Sequence, residues 1–303
     1  MKYTKPPLTH AEQLDLLISR GLSITDRKQT EKLLNQVGYY RLSAYCIPFE
    51  IVRHQFKAST HINSIQQLYE FDRQLRFLLN EALEVLEIAF RSLIAHFLTQ
   101  KYGPFAHENK SIFYHTFDHL MWISKVHEEA NRSKETFISH YKKTYENFPQ
   151  LPLWISVEIM SLGTLSQIFS GLLKIDQNEI SLKINLHSSV LKSWLHTLTY
   201  TRNMCAHHSR IWNRELAIAM IIPTKDPRWT GINTRRIASV IYAISTLLKK
   251  LEIHNSIQEK WHTDISQLLN ISLDIENANE IMGSSDNWKY LQTFIINNSK
   301  PPL

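Results

Sequence analysis

The chain has 303 residues, 43% of them hydrophobic and 20% charged, with a formal net charge of +6. That is long enough to bury a substantial core as one large domain or two ordinary ones. Seven scattered glycines exclude the Gly-rich cradles of dinucleotide and P-loop sites, and two cysteines exclude a disulfide framework or a CxxC metal site.

The cysteine usage points to a reducing cytoplasm. No stretch reaches the roughly 18 uncharged apolar residues that a membrane span requires. The first residues, MKYTKPPLTHAEQ, lack the apolar segment of a signal peptide. The positive balance favours an anionic partner, nucleic acid among them.

In chain order the elements read as helices almost throughout. THAEQLDLLISRGL starts on a Thr9 cap and stops at Gly21; TDRKQTEKLLNQVGYY repeats the pattern and ends at Gly38. RLSAYCIPFEIVRHQFKASTHIN looks irregular, with short extended pieces. A long amphipathic pattern then runs from Ser64 to Tyr102, closed by Gly103 and Pro104. Further helical patterns cover about 118–146, 153–174, 187–208, 232–252 and 256–272, with a short one near 287–296. With no useful period-2 run and no internal repeat, the class is all-α. Residues 1–63 read as an N-terminal helical and irregular extension packed on the core, and 64–303 as the main helical domain.

At about 100° per residue, Leu75, Leu78, Leu79, Ala82, Leu86, Leu93 and Phe97 share one broad face of the long helix. Arg73, Arg76, Asn80, Glu84, Glu87 and Arg91 fall in a stripe about 80° wide on the other side. By itself that stripe is a solvated surface with i,i+4 pairs such as Glu87 with Arg91.

The chemistry concentrates in TRNMCAHHSRIWNRE, Thr201 to Glu215. On the preceding helix Leu191, Leu195, Leu198 and Ala206 lie within about 40° of Arg202, so Arg202 projects from the apolar face. A guanidinium there must reach out, be paired or face a cavity. Glu84 and Glu87 are its candidate partners. Asn203 and His207 lie about 100–140° round from it, at the border of the core. Arg202 and His207 therefore do not stack on one face of a straight helix. A long Arg side chain, a helix end at His207, or a second copy across a two-fold axis each brings them together.

Cleaving RNA without a metal needs a group that takes the 2′-hydroxyl proton or protonates the leaving 5′-oxygen, and a fixed positive charge at the phosphate. Histidine suits the first role and arginine the second. Asn203 suits a hydrogen bond to phosphate oxygen or to His207. His208 is a second proton carrier or a histidine favoured by the helix dipole. Arg210 and Arg214 suit RNA phosphates, and Asn213 lies between them. Trp212 is either a stacking face for an unpaired base or a core anchor beside Ile211. Spacing alone is cheap, since Arg91 and His96 repeat the same interval. No HExxH or comparable run appears among the 15 histidines, so no metal site is expected.

The run from Arg202 to Arg214 resembles the signature of Abi-like (abortive infection) proteins, a branch of the HEPN superfamily of helical ribonucleases. The superfamily motif maps onto Arg202, Asn203 and His207. Four further blocks and the long helix resemble the family in order: KPPLTHAEQLDLLISRGL, GYYRLSAYCIPF, LYEFDRQLRFLLNEALEVLEIAFRSLIAH, LPLWISVEIMSLGTLSQIFSGL and MGSSDNWKYL. Core packing is the ordinary role for Tyr39 and Tyr40 of the second block, beside Arg41.

The resemblance implies a HEPN-type helical bundle and a homodimer in which two Arg-x4-His motifs face a shared cleft. It implies a metal-independent endoribonuclease that leaves a 2′,3′-cyclic phosphate and a 5′-hydroxyl. Arg202, Asn203 and His207 would be catalytic, and Glu84, Glu87 and Arg91 supporting. It also implies phage defence or a toxin–antitoxin system, with a small structured RNA or a protein as antitoxin, and no cofactor or membrane partner. The alternative is a non-catalytic RNA-binding or sensor protein that uses the same basic cleft.

Overall fold

The computed structural model describes residues 2, 4, 6–223, 225–285, 288, 289 and 291. Helix α1 (His10–Ser19) starts on a reciprocal cap: Thr9 Oγ1 accepts from the Glu12 N–H at 3.3 Å, and the Thr9 N–H donates to Glu12 Oε2 at 2.7 Å. Helix α2 (Arg27–Val37) is capped by Asp26 and ends at Gly38. Where an irregular segment was expected, α3 (Tyr39–Cys46) forms, followed by a short antiparallel hairpin pairing 50–52 with 55–56.

Helix α4 (Ile62–Tyr102) has 41 residues, roughly 60 Å at 1.5 Å per residue. It ends at Gly103, whose φ of +88° suits a residue without Cβ. Around it lie α5 (His119–Arg132), α6 (Thr136–Thr144), α7 (Leu153–Ile159), α8 (Leu162–Gly171), α9 (Lys174–Lys183) and α10 (Ser188–Ala206). After them come α11 (Ile237–Lys250), α12 (Asn255–Leu269) and the short α13 (Ala278–Met282).

The expected helix at 118–146 is two helices, because α5 ends on Ser133 and its hydroxyl accepts the Glu135 N–H at 3.3 Å. The pattern at 153–174 is divided likewise: Ser161 caps α8 through the Thr164 N–H at 3.2 Å. Helix α9 carries few apolar residues and showed no periodic pattern. The backbone before it is tied to the segment after α4, Leu173 N–H donating to the Ile112 carbonyl at 2.9 Å. The pattern near 287–296 lies outside the described residues apart from Trp288, Lys289 and Leu291.

Every residue of α11 from Ile237 to Leu248 is buried, as expected of a helix apolar all round. It packs between α4, α10 and α12, and α4 also touches α3, α7 and α8. The N-terminal helices share this core, since Leu14, Leu17, Leu34, Leu42 and Tyr45 belong to the same buried cluster as α4 and α11. The architecture is an all-α bundle, and the hairpin is the one sheet among the described residues.

The core holds two neutral imidazoles. Burial pushes His107 down to about 3 and His262 down to about 4. Both groups titrate near 6.5 once unfolded. Their contribution to stability is therefore present above pH 6.5 and is lost as pH falls toward the folded values, because the unfolded chain binds protons more readily. Each contributes a slope of up to about 1.4 kcal/mol per pH unit in that window. Urea unfolding midpoints should fall between pH 7 and pH 5, and His107→Leu should fall less steeply; equal slopes would place the acid sensitivity elsewhere.

Candidate active site

The end of α10 determines where the motif points. His207 caps the helix, and His208 takes the left-handed conformation at φ +54°. The His208 N–H donates to the Cys205 carbonyl at 3.0 Å and the Ser209 N–H to the Met204 carbonyl at 2.9 Å. These two bonds are a Schellman closure with histidine in the place where glycine is usual. A side chain there costs about 1 kcal/mol, so the surroundings must hold it.

Three arginines and one carboxylate provide that hold. Arg41 of α3 donates to the His208 carbonyl, and Arg210 donates to the carbonyl of Ala44. Asp72 of α4, fully buried, accepts the N–H groups of Ile211 at 3.1 Å and Trp212 at 2.8 Å. The same carboxylate accepts the Tyr45 hydroxyl at 2.6 Å and forms an ion pair with Arg76, which is 5% exposed. Arg76 also donates to the Ser209 carbonyl at 3.3 Å. The loop 208–212 is thus fastened to α3 and α4 along its whole length. Burial and the neighbouring Asp72 charge raise the Tyr45 hydroxyl pKa well above the usual tyrosine range, so it stays a hydrogen-bond donor.

Arg202 is half-buried in the wall of a cleft of about 460 Å³ between α4 and the end of α10, with Glu84, Glu87, Arg91, Asn80 and Ala206. Neither expected partner holds it. Glu87 pairs instead with Arg91 at 2.6 Å, and Arg91 is held further by the Met160 carbonyl at 2.8 Å. Among the described residues the Arg202 side chain has no hydrogen bond and no ion pair. Arg91 stands at i,i+4 from Glu87 on the same helix, the spacing at which helix side chains meet. The polar stripe of α4 is also not a plain solvated face. Arg76 and Glu87 are buried, as is Asp72 beside the stripe, and Arg91 is half-buried, while Arg73, Asn80 and Glu84 remain exposed.

Asn203 and His207 are exposed and lie outside the lining of this cleft. The angular separation from Arg202 expected on the helix wheel persists in the fold. His208 is exposed and lines a neighbouring cleft that shares Asn80 and Ala206 with the first. A single chain therefore places Arg202 and His208 in adjoining clefts, and His207 lines neither of them.

The remaining motif residues divide. Trp212, a candidate base-stacking face, is 1% exposed and packs in the core beside Ile211, so stacking is corrected to anchoring. Arg210 is half-buried and committed to the Ala44 carbonyl, so it acts on the loop before it can act on a phosphate. Arg214 is exposed. Asn213 is half-buried, and its carbonyl accepts from Arg236 at 2.7 Å. Tyr40, taken as a core aromatic, is 92% exposed.

Arg41, Tyr45, Asp72 and Arg76 lie outside the site expected from the sequence, although Asp72 and Arg76 at i,i+4, on the border of the polar stripe of α4, are a visible signal. Burial pushes the thiols of Cys46 and Cys205 up to about 12, so neither is a nucleophile at neutral pH. Among the described residues no cluster of His, Cys, Asp and Glu could hold a metal ion. No helix among them is long and apolar enough to cross a membrane.

Neither the curated proteins nor the solved structures contain a match to this chain. A protein-family model described as Abi-like protein matches residues 32–213, from within α2 through Arg202, Asn203 and His207 to Asn213. That span includes the α3 and α4 contacts to the loop as well as Arg202 and both histidines. Such membership suggests a role in abortive infection, a defence against phage. With the match covering more than half of its length, the chain belongs to the Abi-like family.

Proposed function

We propose that the protein is a metal-independent endoribonuclease of an abortive-infection or toxin–antitoxin system. The observation that carries this reading is Arg202, a guanidinium in a cleft wall with no protein partner among the described residues. An arginine left unpaired beside solvent is disposed to take an anion, and its planar fork fits phosphate.

In the proposed reaction the RNA 2′-oxygen attacks its own phosphorus as an imidazole takes the proton. The bond from phosphorus to the 5′-oxygen breaks, and that oxygen is protonated as it leaves. The products are a 2′,3′-cyclic phosphate and a 5′-hydroxyl, with no redox change and no metal. Arg202 neutralises the charge that grows on the non-bridging oxygens. Asn203 and Arg214, both exposed, would contact neighbouring phosphates.

Arg202 and His207 diverge on one α10, so the reading includes a homodimer in which the partner's helix end completes the cleft. The exposed Ile88 in the α4 wall of the Arg202 cleft favours such a covering. A small structured RNA or a protein antitoxin would restrain the enzyme by occupying this groove.

The test is incubation of labelled single-stranded RNA with the protein in EDTA, beside His207→Ala and His208→Gly. Glycine keeps the left-handed turn, so lost cleavage in His208→Gly reports the imidazole rather than the backbone. Cleavage by the wild type, with loss in His207→Ala, is the expected result. RNA retained without cleavage by all three proteins would establish a binding or sensor protein instead. Full activity from a monomer in sedimentation would remove the shared cleft.

A further inference from the structure

Beside the Arg202 cleft lies a second one of about 540 Å³, walled by α2, α3, α4 and the turn after α10, which the proposed cleavage chemistry leaves unused apart from His208. Asn80 and Ala206 line both, so a chain occupying one continues into the other. The lining of the second carries Arg41, Arg73, Arg76 and His208, and no carboxylate. It is a cation-rich concavity within the size range of small-molecule sites.

Two of its guanidiniums are committed, Arg76 to Asp72 and Arg73 to Glu70 at 2.6 Å. Arg41 differs. It is half-buried and gives one bond to the His208 carbonyl, and among the described residues no carboxylate pairs with it. Its remaining N–H groups are available to an anion while that bond keeps the guanidinium in place.

The same cleft contains Phe77, 65% exposed and outside every described aromatic or cation–π pair. A lone phenylalanine on a surface is ordinary. This one stands on a 41-residue helix rigidly held in the core, with an arginine free to take a phosphate in the same cleft and the Asn80 and Gln36 amides beside it. A flat apolar face, a fixed cation and amide donors and acceptors in one cleft match a base, a phosphate and a base edge. A paired base keeps its faces inside the helical stack, so the occupant is unpaired.

We propose that this cleft is a nucleotide subsite, taking one unpaired residue of single-stranded RNA with its base face on Phe77 and its phosphate on Arg41. The subsite rests on the ribonuclease reading only in that the strand runs on toward Arg202. It would hold the residue flanking the scissile phosphate and restrict the substrate to strands without secondary structure at the cut.

The test uses the full chain and a fluorescein-labelled 2′-O-methyl hexanucleotide of mixed sequence, which lacks the attacking hydroxyl and is bound without being cut. Phe77→Ala should weaken binding roughly 5- to 150-fold, Phe77→Trp should retain it, and Phe77→Leu should stay weak despite similar apolar area. Arg41→Gln should lower the slope of log affinity against log salt by about 0.7, the increment for one phosphate contact on a single strand. Phe77 is exposed, so its variants should fold, and sedimentation of each reports its mass. Full binding by Phe77→Leu, a loss of binding that follows dissociation to monomers, or an unchanged salt slope for Arg41→Gln would each overturn the subsite. Persistent tight binding of this probe by a protein that cuts no RNA would sink the nuclease reading and leave the subsite standing. Wild-type binding by every variant alongside normal cleavage would do the reverse.

Discussion

Replacing Arg202 with alanine should lower RNA cleavage by about 10²–10³-fold, the usual cost of removing one electrostatic contact to a transition state. The helical circular dichroism and Tm should stay close to wild type. Both halves follow from one fact: the Arg202 side chain makes no ion pair and no hydrogen bond among the described residues, so the fold loses little when it goes. Of the two carboxylates that would have made it structural, Glu87 is engaged with Arg91 at 2.6 Å and Glu84 is exposed and forms no ion pair among the described residues. Arg202→Lys should recover only part of the activity, because an ammonium is a point charge that cannot fork around a phosphate. If Arg202→Ala unfolds, or cleaves at the wild-type rate, the guanidinium is not the phosphate-stabilising group.

Asp72→Ala should be the most destabilising single change around the motif, at about 3–5 kcal/mol. The carboxylate is fully buried and accepts from Ile211, Trp212, Tyr45 and Arg76. Removing it leaves a buried guanidinium without its counter-charge and two buried N–H groups without an acceptor. The double variant Asp72→Leu with Arg76→Met should recover much of the loss, since a buried ion pair can be exchanged for apolar packing more cheaply than it can be broken. Urea midpoints measured at a common slope would show this. A loss below about 1 kcal/mol in the single variant would mean that water enters and replaces the carboxylate.

These two residues stand in opposite relations to the core, and that explains how the site is built. Asp72 and Arg76 spend their charge on each other and on the backbone of the loop 209–212. Arg202 is spared by the competing Glu87–Arg91 pair and stays available. The helices before α4 contribute directly, through the bond from Arg41 to His208 and the bond from Arg210 to Ala44. A disturbance of α3 would therefore reach the motif without touching RNA.

Local sequence determined the parts that depend on neighbours along the chain. Thr9 with Glu12, and Gly103 after Tyr102, mark helix ends because capping satisfies backbone groups within a few residues of itself. The wheel placed Arg202 on the apolar flank of α10 and His207 well round from it, because the helical period is local geometry. Short interruptions escaped it, since Ser133 ends α5 and Ser161 starts α8 inside stretches whose apolar period runs on. Tertiary structure alone decided which charges are paired and which aromatics are covered. Whether Glu87 meets Arg91 or Arg202, whether Trp212 is a stacking face or an anchor, and whether Arg41 touches His208 depend on contacts between residues that lie far apart in the chain or compete for one partner. Burial and pairing are properties of the packed assembly of helices, and no period within a single helix encodes them.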